Sequence, residues 1–342
     1  MAAQTEPVSS IWLRGASFDL HFIVGIAALA LLSGWAVVLE PRLFVPILLT
    51  DLWLLGYHHV VATYTRLCFD RQSLHTHRFL LFGLPPIVLA AVCILVFSVG
   101  VWVLATVYLY AQWYHYTRQS WGISQVYRRK SGGLVNENHH LSTAVFYLLP
   151  LWGILRRSHQ DPGTFLGLEL RVLPVPEIAV SVIGIAALLT LGWWIGMRVM
   201  AWYHGRLPLV HTLYMMSHFT VFYVAYIVID HIDYGWLVVN IWHNAQYIVF
   251  VWLFNNNRFK SGTNPKAKFL SIISQDQNAW RYFAVCFGLS TVIYLTISNI
   301  TAALLPLAIV IYQTINFHHY IVDGVIWKVR RKPLQQVLGI TT

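Results

Sequence analysis

The sequence predicts an all-α integral membrane protein, a polytopic helical bundle with about ten transmembrane helices. Of its 342 residues, 57% are hydrophobic and only 11% are charged, and the mean hydropathy is +0.59. Soluble domains carry about 25% charged residues, so this composition excludes an ordinary soluble fold. The apolar residues also fall into windows of about 20, the length of a helix that crosses a bilayer.

Ten such windows follow one another along the chain, and each is predicted to form one spanning helix. Their approximate ranges are 18–39, 44–66, 79–98, 100–124, 141–156, 177–198, 207–229, 234–254, 279–297 and 302–327. The fifth window is the shortest of the set. No repeat at a fixed period and no domain boundary interrupts them, so we expect a single transmembrane domain over residues 1–342.

The basic residues are distributed unevenly between the predicted connections, which indicates the orientation. With ten spans, one side holds eighteen Lys and Arg residues and the other holds four. Cytoplasmic loops carry the excess of these residues, so both termini are predicted in the cytoplasm and the chain is a multi-pass protein of the cell membrane. Membrane topology explains the net charge of +10 better than a nucleic-acid partner does, and membrane lipids are expected partners.

Histidines inside five apolar windows are the strongest functional signal in the sequence. Ionisable groups at that depth are costly and usually mark a site. A rise of about 1.5 Å per residue places most of them in the cytoplasmic half of the membrane. Asp323 follows the last histidine by four residues and shares its helix face. The predicted metal ligands are His58, His59, His115, His211, His218, His243, His318, His319 and Asp323.

Two alternatives remain open within this set. A single intramembrane histidine can instead join two helices by a hydrogen bond. This explanation is weaker for the whole set, because each of five helices would need its own reason to carry a buried histidine. Adjacent helical residues point about 100° apart, so one member of His58-His59 or of His318-His319 can be a ligand while the other packs. The sequence leaves open which member is the ligand.

Three further polar residues are candidates for a catalytic role. Asp51 lies seven residues before His58, on the same helix face. Arg118 and Gln119 follow His115 by three and four residues. Side chains at these spacings can hold or orient an imidazole. Arg118 can alternatively neutralise a carboxylate or extend to the membrane interface.

The donor types indicate the metal. Neutral imidazole with carboxylate suits iron, zinc or copper, and the three scattered cysteines argue against an iron–sulfur centre. The histidines outnumber the three or four that one catalytic zinc needs, so two metal ions are expected.

The paired histidines carry a family resemblance. His58-His59, His139-His140 and His318-His319 with Asp323, on a polytopic scaffold, resemble the integral-membrane histidine-motif non-haem iron enzymes: fatty-acyl desaturases, hydroxylases and carotenoid oxygenases. The chain lacks that group's HxxxH and HxxHH boxes, and most of its histidines lie within spans.

The resemblance implies an iron enzyme, with two ions, that uses O2 to hydroxylate, desaturate or oxygenate a hydrophobic lipid or isoprenoid. The chain shows no dinucleotide or haem-attachment motif, so the electrons are expected from a separate donor protein. Two other function classes compete with this prediction. One is a membrane transporter whose histidines carry protons or metal ions, and the other is a lipid-modifying transferase that uses histidine as a metal-free general base.

Overall fold

The computed structural model describes residues 11–134, 137–301 and 305–340. Thirteen helices make up most of this part of the chain: α1 Ala16–Leu39, α2 Pro41–Cys68, α3 Arg71–Thr76, α4 Phe79–Val99, α5 Trp102–Ser131, α6 His139–Gln160, α7 Glu177–Tyr203, α8 Leu209–Tyr223, α9 Ile232–Arg258, α10 Lys268–Ile273, α11 Asp276–Thr301, α12 Leu305–Ile326 and α13 Lys332–Leu338. A two-stranded hairpin, β1 Thr164–Phe165 with β2 Leu168–Glu169, is the strand structure seen in those ranges. The predicted all-α class is confirmed.

Six of these helices are long and apolar enough to cross a membrane: α1, α2, α4, α7, α9 and α11. The other four predicted spans coincide with α5, α6, α8 and α12, which are helical but do not meet the same criterion of length and hydropathy over the described residues. Their crossing of the bilayer and the cytoplasmic position of the termini stay predictions. Residues 302–304, at the start of the tenth predicted span, lie outside the described part.

Helix α9 lies at the centre of the bundle. Its most apolar window is 94% buried inside the protein, and it packs against α1, α2, α5 and α8. A helix that is buried all round turns every face towards other helices. The polar side chains of Asn240, His243 and Asn244 on α9 therefore face protein.

A widened turn of α2 precedes its histidines. Residues Leu52–Gly56 form one π-helical turn before the α-helix resumes at Tyr57. Such a turn contains an extra residue and changes the direction in which all later side chains point, and it often occurs near functional sites. Here α2 also approaches α9 closely: a Cβ at Gly56 would lie 3.6 Å from Nδ2 of Asn244. The turn thus positions the following His59 against α9.

Arg157 of α6 fixes the end of α8. Helix α8 continues as a π-helical turn, Val224–Val228, whose last carbonyl groups need hydrogen-bond donors. The buried guanidinium donates to the carbonyl oxygen of Ala225 at 2.9 Å and also to those of Ile229 and Asp230. Gly235 of α9 approaches the Ala225 carbonyl so closely that a Cβ at this position would overlap its oxygen. This contact joins α6, α8 and the beginning of α9.

Candidate metal centre

Four side chains from three helices converge in the core. His59 of α2, His115 of α5, and His319 and Asp323 of α12 each offer one ligand atom, and these atoms all lie within 4.8 Å of one another. All four residues are buried, with between 1% and 7% of their surface exposed. We call this group the histidine–aspartate cluster.

The closest approach within the cluster is between two imidazoles. Nε2 of His59 and Nε2 of His319 are 2.7 Å apart, and Oδ2 of Asp323 is 3.6 Å from the same His319 nitrogen. Two nitrogens bound to one metal at about 2.0–2.1 Å lie roughly 3 Å apart. The spacing of the two rings is therefore close to that of a shared ion.

Three side-chain atoms of the cluster have no hydrogen-bond partner among the described residues, namely Nδ1 of His59, Nε2 of His115 and Oδ2 of Asp323. A buried polar atom that is left unpaired costs about 1–3 kcal/mol. Native structures rarely leave such atoms without a role, and an unseen ion is one explanation. A metal bound by all four residues would satisfy Nε2 of His115 and Oδ2 of Asp323, so the donor set fits a metal ion.

A hydrogen-bonded layer supports the cluster from one side. Thr63 Oγ1 contacts His319 Nδ1 at 3.1 Å and donates to Asp323 Oδ1 at 3.2 Å. The hydroxyl of Tyr247 donates to the same Asp323 oxygen at 2.7 Å, and Trp327 Nε1 donates to Tyr247 at 2.9 Å. Such contacts fix the orientation of a ligand.

Sequence reasoning missed Thr63 and Tyr247, although a signal was present. Thr63 follows His59 by four residues and Tyr247 follows His243 by four, the same spacing that separates His319 from Asp323. Residues four apart lie on one helix face. Helices α2 and α9 thus each carry a histidine that is followed one turn later by a hydroxyl group bonded to Asp323. Helix α12 carries His319, which is followed one turn later by Asp323 itself.

His243 lies beside the cluster. Its ring centroid is 4.7 Å from that of His59 and 5.0 Å from that of His115, and it packs 4.0 Å from the ring of Tyr116. Its Nε2 atom finds no hydrogen-bond partner in the described ranges. The side chain is therefore available to a ligand next to the histidine–aspartate cluster.

The structure separates the members of the two adjacent pairs. His58 faces an apolar groove and lies 6.0 Å from the ring of Phe283. His318 contacts the Tyr64 hydroxyl through Nδ1 and the Leu80 carbonyl through Nε2, both at 2.6 Å. Both residues lie apart from the cluster, while their neighbours His59 and His319 point into it.

The two predicted ligands of α8 also lie elsewhere. His218 bonds Ser120 Oγ at 3.0 Å and the Phe146 carbonyl at 3.2 Å, which uses both ring nitrogens to join three helices. His211 is buried, and the positive charge of Arg198 lies close enough to interact with its ring. The structure does not bring either residue to the histidine–aspartate cluster.

The three candidate catalytic residues occupy different surroundings. Asp51 is buried and accepts a hydrogen bond from Asn240. Gln119 donates to the backbone carbonyl of His243 at 3.4 Å. Arg118 is exposed and donates to the Tyr147 hydroxyl at 3.4 Å, and among the described residues it forms no ion pair with a carboxylate.

His139 and His140 begin α6, away from the cluster. Partial burial and the neighbouring Arg128 lower the pKa of His139. The neutral ring can then accept a hydrogen bond at Nδ1 from Arg128, at 2.8 Å. This pair has a local role at the helix start.

A cavity of about 280 Å³ borders the cluster. His59, His243 and His319 form part of its wall, and most of the remaining wall consists of tyrosine and side-chain amide groups. A reactant held there lies directly against two imidazoles of the cluster.

Comparison with known proteins does not identify this site. No family model, curated protein or solved structure gives a significant match to the chain. The geometry of the cluster and the cavity therefore carries the functional argument.

Proposed function

We propose that this chain is a membrane-embedded, metal-dependent oxidoreductase that uses O2 to hydroxylate, desaturate or oxygenate a hydrophobic lipid or isoprenoid. One observation carries the proposal: three imidazoles and a carboxylate from three helices converge in the core, and three of their side-chain atoms lack a hydrogen-bond partner within the described part of the chain. His218, which joins three helices, instead uses both nitrogens in hydrogen bonds.

The donor set favours iron. Imidazole with carboxylate is the ligand combination of non-haem iron sites that leave coordination positions open for oxygen, while zinc and copper share part of this chemistry. Bound here, iron would supply the electron-transfer chemistry that O2 activation needs. The four cluster residues account for one ion. A second ion stays a prediction, for which His243 is the nearest additional imidazole.

The protein's own residues hold the centre and its reactant. Tyr247 and Thr63 orient Asp323, the surrounding helices exclude bulk water, and the adjacent cavity places a substrate next to His59 and His319. A dry site keeps a reactive oxidant from water. We further propose that the site lies in the cytoplasmic half of the membrane, with substrate entering from the bilayer and electrons supplied by a separate donor protein.

Metal content tests the proposal through two neighbouring residues. His59→Leu removes a cluster ligand, whereas His58→Leu alters a residue of the apolar groove on another face of the same helix. Elemental analysis of gently purified protein should find iron in the unaltered chain and in His58→Leu, and at least tenfold less in His59→Leu. Protein without any transition metal, or equal metal in both variants, would overturn the proposal.

A further inference from the structure

We propose that the cavity beside the histidine–aspartate cluster binds the uncharged end of a lipid, and that this end is a flat ring or conjugated group bearing a carbonyl or hydroxyl oxygen. The inference rests on the proposed function, because it names the substrate class for the same site. It is drawn from the side chains that form the cavity wall.

The wall offers polar groups but no ionic partner. No Lys, Arg, Asp or Glu side chain belongs to it among the described residues, and its polar members other than histidine are Tyr57, Tyr108, Gln112, Tyr116, Asn240, Asn244, Tyr294, Tyr312, Asn316 and Tyr320. A buried charge without a counter-ion is expensive, particularly in a membrane protein. Without a metal ion at His59 and His319, free fatty acids and phosphate headgroups therefore find no cationic partner in this wall.

Asn244 presents a free donor to the cavity. The residue is 4% exposed, and its Nδ2 has no hydrogen-bond partner in the parts of the chain described. The neighbouring His243 also leaves Nε2 unpaired in those parts. The Asn244 amide also faces the Asp51 carboxyl group, but its NH2 group has two hydrogens, so a ligand that brings an acceptor still gains a bond. A carbonyl or hydroxyl oxygen supplies one, whereas a pure hydrocarbon leaves the amide unsatisfied.

Three tyrosines form a stack along the same wall. The ring centroid of Tyr57 is 3.7 Å from that of Tyr294 and 6.3 Å from that of Tyr312, with interplanar angles of 8° and 14°. Tyr294 and Tyr312 are 5.6 Å apart at 13°. Nearly parallel rings favour a flat π-system, which stacks against them with an offset. Three different helices, α2, α11 and α12, contribute to this stack.

The size of the cavity limits what enters. At about 280 Å³, it lies just below the roughly 300–1,000 Å³ of sites that enclose a whole drug-sized ligand. It can hold a ring and its oxygen but not an additional long chain. The apolar tail must therefore stay outside, and the oxygen-bearing end is the part that lies against His59 and His319.

Three probes with one ring system test this specificity. They are 2-acetylnaphthalene, which has a ketone, 2-ethylnaphthalene, which is a hydrocarbon of similar shape, and 2-naphthoate, which is an anion. Calorimetric titration of the full chain in nanodiscs after chelation, corrected with empty nanodiscs, should show the ketone binding about tenfold more tightly than the hydrocarbon, with the anion weakest. Equal binding of ketone and hydrocarbon, or tightest binding of the anion, would overturn the inference.

The variant Asn244→Leu tests whether the amide of Asn244 causes the preference for the ketone over the hydrocarbon. This variant should bind the hydrocarbon as the unaltered chain does but lose the tenfold advantage of the ketone. Asn256→Leu is the control, since Asn256 bonds the Ser274 carbonyl away from the cavity; it should retain that advantage. A ketone advantage that survives in Asn244→Leu would refute the role of this donor. The ranking of probes by the unaltered chain remains a test even if this variant fails to fold.

The two proposals fail separately in this experiment. Metal content is measured on the same preparation before chelation. The predicted ranking in a preparation that contains no metal as purified supports the substrate class while contradicting the oxidoreductase. Bound iron with no ketone preference contradicts the substrate class alone.

Discussion

Nε2 of His59 and Nε2 of His319 lie 2.7 Å apart, although 260 residues separate them along the chain. Two neutral imidazoles in this position can share one proton in a hydrogen bond, and a metal ion can replace that proton and bind both. Asp323 and His115 complete the group around them. The contact joins α2 to α12, and its position in the buried core makes it the natural target of mutation.

Two buried histidines with unpaired nitrogens allow a matched comparison. His115→Leu removes a member of the histidine–aspartate cluster, while His211→Leu alters an imidazole of α8 that lies outside it. We expect bound metal to fall at least tenfold in the first variant and to stay unchanged in the second. Elemental analysis of both proteins measures this. Metal loss in His211→Leu at normal thermal stability would show that a ligand lies outside the cluster.

Tyr247→Phe tests the layer that supports Asp323. The change removes the hydroxyl that donates to Asp323 at 2.7 Å, and the loss of such an outer contact typically lowers metal affinity by about 10–100-fold. Competition with a chelator of known affinity measures the change. Tyr282→Phe is the control, because Tyr282 is also fully buried but its hydroxyl contacts Thr65. Equal affinities in the two variants would show that Tyr247 does not support the ligand.

Glu137→Gln is expected to destabilise the protein strongly. Glu137 pairs with Arg198, and the two side chains are only 6% and 4% exposed. Removal of one partner from a buried pair leaves a charge uncompensated and costs about 3–5 kcal/mol. The measurement is unfolding in detergent, followed by intrinsic fluorescence. Asp276→Asn breaks the exposed pair with Arg14 and should change stability by about 1 kcal/mol or less; an equal effect of the two variants would contradict this ranking.

Gly235→Ala tests the contact between α8 and α9. The added methyl group would overlap the Ala225 carbonyl that Arg157 binds, and overpacking of this kind costs about 1–3 kcal/mol. Gly192→Ala on α7 is the control because nothing lies within 4 Å of the new methyl group. This second change should stabilise the helix slightly, by about 0.5–1 kcal/mol. Thermal unfolding of both variants gives the answer, and an unchanged midpoint for Gly235→Ala would mean that the helices separate easily.

The sequence alone predicted a helical chain in which several helices are apolar enough to cross a membrane. A window of about 20 apolar residues shows that a helix is suited to a lipid environment. This property can be recognised in the helix's own sequence, without knowing which helices pack against it. For the same reason the costly histidines within those windows could be identified as a set, and the spacing of four between His319 and Asp323 placed both on one face.

Only the tertiary structure decided which of those side chains meet. His58 and His59 look alike in sequence, but the π-helical turn of α2 and its packing on α9 direct one to the groove and the other to the cluster. His218 is an equally good ligand by residue type, yet contacts with Ser120 and Phe146 use its nitrogens. The direction of a side chain depends on how its helix is rotated against its neighbours. That rotation is set by contacts between residues far apart in the chain, which no local pattern encodes.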